Sequence, residues 1–271
     1  MTTLYDSIKL YMTEKMQTHL GKWTIEELDR LLHNSSLIRD VGERIGFLSE
    51  QFLGVAYQGS TLVGDAHTPE ILVLNLAGVD CFTLIDYVEA MRLSGSFSEF
   101  TENLKGVRYR RGEVSFEMRN HFFTDWPEYN AGTIEDVTAV IGGPKIISVH
   151  KRLNLKGDGT PIIPGIPPKE REIHYIPVNA LDELILGRMK TGDYAGIHKP
   201  PIYNPPSPPL VKGGFRDDDG LDVTHVGIII KSPDGIYLRH ASSQMSHRKV
   251  IDEEFKGYLA EKQGLVVLRP R

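Results

Sequence analysis

The sequence predicts an α+β fold in which a helical first part carries the lone cysteine and packs on a β-rich second part. Up to about residue 55, glycine and proline are scarce and apolar residues recur at spacings of three and four, which is typical of helices. From Val107 onward, short β-type segments are separated by turn signals such as Lys156-Gly157-Asp158-Gly159. We therefore expect a helical subdomain over residues 1–105 and a β-rich subdomain over residues 106–271.

Composition and charge narrow the possible partners. Of the 271 residues, 40% are apolar and 25% are charged, which is the balance of an ordinary globular protein. The net charge of −5 gives no electrostatic reason to bind nucleic acid or an anionic membrane. No segment approaches the ~18 consecutive apolar residues that span a bilayer, and no signal peptide is visible. We expect a cytoplasmic protein without membrane insertion, or a periplasmic or exported one if the start site is misassigned; the oligomeric state stays open.

Two helix starts can be assigned from their capping residues. Thr24 opens one helix. Asp80 opens another, predicted over residues 80–93, because it precedes apolar residues at helical spacing. Cys81 is the only cysteine and falls at the first position of this helix, where unpaired N–H groups and the helix dipole favour a thiolate. Because Cys81 also continues the apolar stripe of the helix, a packed and unreactive thiol is the alternative.

Two proline-rich stretches interrupt the β-rich part. Residues 160–168 hold four prolines and are expected to form an extended loop. Residues 198–220 hold six prolines and an acidic run, a composition that favours neither helix nor sheet. We interpret this second stretch as a mobile surface loop inserted before the next strand, with a polyproline II recognition segment as the alternative.

A hairpin predicted over residues 221–243 brings two histidines to one face of a sheet. Two β-type runs flank a Ser-Pro-Asp-Gly turn, and this turn places Lys231 opposite Ile236. Because every second residue of a strand shares a face, one side of the hairpin then carries His225, Gly227, His240 and Ser242. His225 lies diagonal to His240, about 5–8 Å away, which is within reach of a side chain.

With this arrangement, the chain resembles the NlpC-type papain-like cysteine amidases, and most closely their N-acetylmuramoyl-L-alanine amidase-like branch. The resemblance runs from Phe52 to the C-terminus and is carried by short stretches in the family's order: Phe52–Tyr57, Asp80-Cys81, Arg119–Trp126, Gly192-Asp193, Gly220–Gly227 and His240–Ser243. It implies a papain-like (NlpC-type) fold with a barrel-like C-terminal part. It also implies that Cys81 is the nucleophile, His225 the base and His240 the orienting third residue.

The resemblance further implies a substrate. The expected reaction is hydrolysis of the amide between N-acetylmuramic acid, especially its 1,6-anhydro form, and L-alanine in the peptidoglycan fragments (muropeptides) of cell-wall recycling. No cofactor and no metal are expected. The residues expected to bind the substrate are Arg119, His121, Trp126 and Ser242. Phe82 stands where a small hydroxyl residue commonly follows the family's cysteine, and we expect it to alter the substrate pocket.

Three other functions remain open from the sequence. An endopeptidase would use the same residues to cut within the stem peptide. One cysteine and two histidines are also legitimate zinc ligands that leave a position for water, although no paired-ligand motif such as CxxC or HExxH is present. A catalytically inactive module could bind muropeptides through Arg119, His121 and Trp126.

Overall fold

The structure, a computed structural model, describes residues 16–198 and 220–271. The predicted proline-rich loop over residues 198–220 therefore lies outside the described residues except at its two ends. At its start the prediction is wrong by one residue, because His198 is buried as the last residue of a strand, Tyr194–His198. The helix expected from the first residue of the chain is tested only from Met16 onward.

Within the described residues, the longest helices lie before residue 109 and the longest strands after residue 146. The strands are β1 (Met16–His19), β2 (Ala56–Tyr57), β3 (Leu72–Asn75), β4 (Gly78–Val79), β5 (Ile134–Asp136), β6 (Ile147–Leu153), β7 (Lys169–Pro177), β8 (Tyr194–His198), β9 (His225–Ser232), β10 (Gly235–Ala241), β11 (Val250–Glu254) and β12 (Gly264–Pro270). The α-helices are α1 (Ile25–Ser36), α2 (Val41–Glu50), α3 (Cys81–Arg92), α4 (Phe97–Arg108), α5 (Asp125–Tyr129), α6 (Thr138–Gly142), α7 (Glu183–Arg188) and α8 (Phe255–Leu259). Of these helices, none is both long and apolar enough to cross a membrane.

The helical prediction for the first part is corrected at β1. Residues Met16–His19 are extended and pair in parallel with β3, with Met16 opposite Leu72. This pairing gives hydrogen-bond partners to backbone groups of the buried strand β3. A helix over residues 16–19 would leave those groups without partners. From Thr24 the prediction is confirmed, because Thr24 and Glu27 form a reciprocal capping box at the start of α1.

Helix α3 carries the cysteine and begins where the sequence predicts. The Asp80 carboxylate accepts a hydrogen bond from the Thr83 N–H (2.8 Å), and the Thr83 hydroxyl oxygen accepts one from the Asp80 N–H (2.9 Å). Almost all of the helix is buried. On its inner side, Asp86 forms an ion pair with Arg108 of α4 (2.8 Å), whose guanidinium also donates to the Val73 carbonyl of β3 (2.6 Å). These bonds fix the cysteine helix to the elements on either side of it.

The largest sheet has eight strands, in the order β11-β10-β9-β8-β12-β7-β6, with β5 paired to β12 beside this path. Neighbouring strands along it are antiparallel. Among the described residues the end strands β11 and β6 are not joined to each other, so the sheet is open. The protein therefore has a mixed α/β fold with a large sheet, while the papain-like fold and the barrel-like form of its second part are not confirmed.

Alternate residues of the hairpin strands fill two cores, one on each face of this sheet. Val226 and Ile228 of β9 pack with the apolar residues of α3 on one face. Ile229 and Leu238 pack with Phe255 of α8 on the other. The hairpin β9–β10 therefore lies between the cysteine helix and α8, and the residues at its open end adjoin both.

Candidate active site

The predicted hairpin forms with the predicted register. Strands β9 and β10 are antiparallel, with Lys231 opposite Ile236. At the open end of the hairpin, Nε2 of His225 lies 2.7 Å from Nδ1 of His240, and the two rings are nearly perpendicular, at 88°. The histidines therefore form a hydrogen-bonded pair, as their diagonal placement predicts.

His240 is held inside the protein. Its side chain is only 2% exposed, and its Nε2 lies 3.1 Å from Oε2 of Glu253 on β11. The Tyr258 ring of α8 packs against both imidazoles, with centroid distances of 5.0 Å to His240 and 6.0 Å to His225. Burial lowers the pKa of His240, and the Glu253 carboxylate opposes that effect. The environment thus favours a neutral His240 ring that is fixed in orientation.

Cys81 lies half-buried in the first turn of α3, against the start of β9. Backbone N–H groups of Cys81, Phe82 and Val226 donate toward its sulfur and act to lower its pKa. Burial, followed by the negative charge of Asp80, outweighs them and raises the pKa of Cys81 to about 12. The resting group is a thiol, not the thiolate that the helix position alone suggests, and its ionisation needs a base. Because Val226 directly follows His225, the sulfur lies beside the strand position that carries this ring.

Two tyrosines that sequence reasoning did not single out are influenced electrostatically by Cys81. Tyr57 on β2 is paired with Val79 on β4, just ahead of the cysteine helix. Burial raises the pKa of Tyr57, and the charge of Cys81 adds to the effect. Burial also raises the pKa of Tyr258, with further contributions from the charges of Glu253 and Cys81. Both phenols therefore keep their protons and remain hydrogen-bond donors.

A cavity of about 200 Å³ opens beside the histidine pair. Its lining is mostly polar and consists of Ile197, Thr224, His225, His240, Ser242, Ser243, Gln244, Tyr258 and Lys262. Ser242, predicted to bind substrate, is part of this lining. Its Oγ is buried and has no hydrogen-bond partner among the described residues. An unpartnered hydroxyl beside a polar cavity is available to a ligand.

Trp126, also predicted to bind substrate, is not exposed. Its side chain has no accessible surface and packs edge-on against Phe82, with 6.1 Å between ring centroids, and against Tyr194, at 5.2 Å. Phe82, the departure from the family's small hydroxyl residue, is used in this contact. Trp126 therefore supports the first turn of the cysteine helix from within the core, and its role as a ligand contact stays a prediction.

Arg119 and His121 are likewise engaged within the protein. The Arg119 guanidinium forms an ion pair with the buried Glu70 carboxylate, with 3.1 Å from Nε to Oε1. The His121 ring lies 2.7 Å from the Phe116 carbonyl, and burial lowers its pKa to about 4. Neither residue lines the cavity beside the histidines. The structure gives both residues structural partners and does not bring them together with Ser242.

The arrangement of potential metal ligands bears on the zinc alternative. Within residues 16–198 and 220–271, no group of three or more His, Cys, Asp or Glu side chains is arranged to hold a metal ion. Nε2 of His225 and Nδ1 of His240 face each other instead of a common centre. The zinc alternative therefore has no ligand cluster to support it in this part of the chain.

Glu253 is the neighbour of the histidine pair that sequence reasoning missed. Residues 250–254 read Val-Ile-Asp-Glu-Glu, which has no alternation of apolar and polar residues, so the sequence carries no clear signal for this strand. In the structure His240 lies opposite Ile251, and Glu253 is two residues further along the same face. The connection between β10 and β11 is an irregular segment and not a short standard turn, so its register could not be predicted.

Comparison with solved structures shows relatives of the same fold. Protein LPG0564 from Legionella pneumophila is 21% identical, with a TM-score of 0.72 over 91% of this chain and 94% of that chain. An N-acetylmuramoyl-L-alanine amidase from Bacteroides uniformis is 26% identical, with a TM-score of 0.64 over 85% of this chain and 99% of that chain. A putative xylanase from Bacteroides fragilis is 24% identical, with a TM-score of 0.59 over 82% of this chain and 99% of that chain. No curated protein matches the sequence.

The fold and these likenesses define a class of protein, the amidase-like hydrolases built on a mixed α/β sheet. Within that class, a family model described as AmiA-like, N-acetylmuramoyl-L-alanine amidase-like, matches residues 47–265. The chain belongs to this AmiA-like family. The matched residues include the cysteine helix, the histidine hairpin and strand β11.

Proposed function

We propose that this protein is a cysteine amidase that cleaves the amide between N-acetylmuramic acid, in its 1,6-anhydro form, and L-alanine in peptidoglycan fragments. Membership of the AmiA-like family and the likeness to the Bacteroides uniformis amidase support the class of substrate. The observation that carries the cysteine chemistry is the Cys81 sulfur beside the Val226 N–H, because Val226 directly follows His225, whose ring is hydrogen-bonded to His240. The proposed partner is a muropeptide, and the proposed location is the cytoplasm.

In the proposed reaction, His225 removes the thiol proton of Cys81 as the substrate binds, and the thiolate attacks the amide carbonyl carbon. Because burial raises the pKa of Cys81 to about 12, the thiol needs this positioned base in order to ionise. The backbone N–H of Cys81, at the helix start, donates to the developing oxyanion, an interaction typically worth about 3–4 kcal/mol of barrier.

The second half of the reaction returns the proton. The His225 imidazolium protonates the amine of L-alanine as the carbon–nitrogen bond breaks, which leaves a thioester on Cys81. Water, deprotonated by the now neutral His225, hydrolyses the thioester and regenerates the thiol. His240 keeps the His225 ring oriented through both steps, the role that acidic or amide residues have in other triads.

We also infer the NlpC-type relationship for the site. Its support is the order of the parts along the chain, with a cysteine at a helix start followed by histidines on two neighbouring strands. The hydrogen bond between the two rings agrees with this assignment of roles. Because the sheet is open, the inferred relationship concerns the site and the packing of its helix, not a closed barrel.

The proposal is tested by incubating the purified protein with a 1,6-anhydro-N-acetylmuramoyl tripeptide and identifying the products by mass spectrometry. We expect the free sugar and a free peptide that begins with L-alanine, and no turnover by a folded Cys81→Ala variant. Cleavage between two amino acids would instead identify an endopeptidase. Loss of activity on chelation, with recovery on adding zinc, would identify the zinc hydrolase.

A further inference from the structure

We propose that Glu253 is a positioning residue that sets the proton arrangement of both histidines, so that Nδ1 of His225 is left as the base for the thiol. The proposal rests on the proposed cysteine chemistry but not on the identity of the substrate. It adds a fourth residue to the Cys81, His225 and His240 set, one that acts through His240 without touching the reacting atoms.

The three polar residues lie in one diagonal across three neighbouring strands. β9 contributes His225, β10 contributes His240 and β11 contributes Glu253, and the connecting distances are 2.7 Å and 3.1 Å. The register of β10 with β11 places Ile251 opposite His240, so Glu253 occupies the same face one diagonal step away. Sheet geometry therefore builds the chain of hydrogen bonds without a loop residue.

The carboxylate decides where the protons sit. An ionised carboxylate only accepts hydrogen bonds, so Nε2 of His240 must carry a proton to bond to Glu253. In a neutral His240 ring, Nδ1 is then an acceptor, and Nε2 of His225 must donate to it. The remaining nitrogen of a neutral His225 ring, Nδ1, keeps its lone pair. The Glu253 carboxylate thus leaves Nδ1 of His225, at the other end of the chain of hydrogen bonds, able to accept a proton.

The Glu253 carboxylate also favours the protonated, cationic form of His225 that the proposed reaction needs. When His225 accepts the proton of Cys81, its ring becomes a cation that donates through Nε2 to His240. Since the intervening His240 ring is only 2% exposed, little solvent separates the two charges, although the Glu253 carboxylate itself is 30% exposed. The other titratable groups that act on His240 are Asp252, whose charge works in the same direction as that of Glu253, and His247, which works against it. Tyr258 adds its ring, packed at 5.0 Å.

Among the described residues, His240 is the only hydrogen-bond and ion-pair partner of Glu253. Its neighbour Asp252 forms an ion pair with Arg239 at 2.7 Å, and Glu254 accepts from backbone N–H groups at the start of α8. Of these three consecutive carboxylates, Glu253 is the one that meets the site, and His240 is its ion-pair partner. Glu253 is 30% exposed, so a neutral residue at this position stays in contact with solvent, and the group that loses its partner is Nε2 of the buried His240.

The experiment compares the full-length protein with its Glu253→Gln and Glu253→Ala variants, and uses Glu261→Gln as the control. Glu261 is an exposed carboxylate on the loop after α8. Nitrogen-15 NMR of the imidazoles is expected to show wild-type His240 protonated at Nε2 and His225 protonated at Nε2 near neutral pH. In Glu253→Ala, we expect a mixture of proton positions. A wild-type His240 that carries its proton on Nδ1 would overturn the proposal, and this measurement needs no variant and no substrate.

Kinetics give the second readout. We expect both Glu253 variants to lose about tenfold to hundredfold in kcat with KM unchanged, while Glu261→Gln stays at the wild-type value. Because the Glu253 charge raises the pKa of His240, its removal should also move the acidic limb of the rate profile to lower pH. A merely structural role would lower activity without moving that limb. If the muropeptide is not a substrate at all, the pH profile of Cys81 alkylation by iodoacetamide replaces the pH profile of turnover. Failure of the amidase proposal can then be distinguished from failure of the Glu253 proposal.

Discussion

Nε2 of His225 and Nδ1 of His240 face each other at 2.7 Å, although the two residues are 15 positions apart in the sequence. The hairpin turn produces this pair, because it fixes which residues of β9 and β10 are opposed. The close approach of strands β9 and β10 also requires a glycine at position 227. A Cβ on Gly227 would lie 2.8 Å from a Leu238 methyl and 3.0 Å from the Arg239 carbonyl oxygen, too close for any other residue without a shift of the strand.

The two histidines are expected to contribute unequally to the catalytic rate. We expect Cys81→Ala and His225→Ala to abolish release of peptide from the sugar, since one removes the nucleophile and the other its base. His240→Ala should lower the rate less, because His225 retains its ring and loses only its orientation. Product release followed by chromatography measures all three, with circular dichroism to verify folding. Equal, complete loss in all three variants would show that His240 is as essential as the base.

The charge of Asp80 should hold back the reactivity of the thiol. Asp80 is the second contribution, after burial, that raises the pKa of Cys81. Removing its charge in Asp80→Asn lowers the pKa, so more thiolate is present at a given pH and alkylation should be a few-fold faster. Because Cys81 is the only cysteine, alkylation reports on this site alone.

The same variant has a matched control. Asparagine caps helices about as well as aspartate, so the free energy of unfolding should change by less than about 0.5 kcal/mol. Asp40 caps α2 in the same way, with its carboxylate 2.8 Å from the Glu43 N–H. Asp40→Asn should therefore leave the alkylation rate unchanged. Equal acceleration in both variants would mean that the effect comes from looser helix ends and not from the charge beside the sulfur.

Local rules of helix capping and turn geometry predicted the two elements that carry the chemistry. The capping box of Asp80 and Thr83 and the turn after Lys231 are each specified within a few residues of sequence. Parallel pairing of β1 with β3 joins residues more than 50 positions apart, and no turn of fixed length connects β10 to β11. The position of Glu253 beside His240 and the open form of the sheet depend on such distant pairings. They could not be derived from a single sequence.

Ser242 provides a direct test of the cavity beside the histidines. Its buried Oγ lacks a partner in the described residues, so Ser242→Ala removes an unsatisfied polar group and should leave the melting temperature unchanged or slightly higher. If substrate supplies the missing hydrogen bond, KM should rise by about fivefold to tenfold, the equivalent of roughly 1–1.5 kcal/mol. Ser243→Ala, in the exposed neighbour that also lines the cavity, is the control. An unchanged KM in Ser242→Ala removes this residue from the binding site.

Substitution of Arg119 distinguishes a structural ion pair from a substrate contact. Its partner Glu70 is 1% exposed, and the Tyr109 hydroxyl donates to the same carboxylate at 2.7 Å. Arg119→Ala leaves a buried carboxylate with that single hydroxyl donor, so we expect a loss of about 3 kcal/mol in the free energy of unfolding with KM unchanged in the surviving folded protein. The control is Arg152→Ala, where both members of the surface pair with Glu170 are more than 60% exposed, and its loss should stay below about 1 kcal/mol. A raised KM with an unchanged unfolding free energy in Arg119→Ala would instead support the substrate contact that the sequence suggested, because an arginine that binds substrate contributes only when substrate is present.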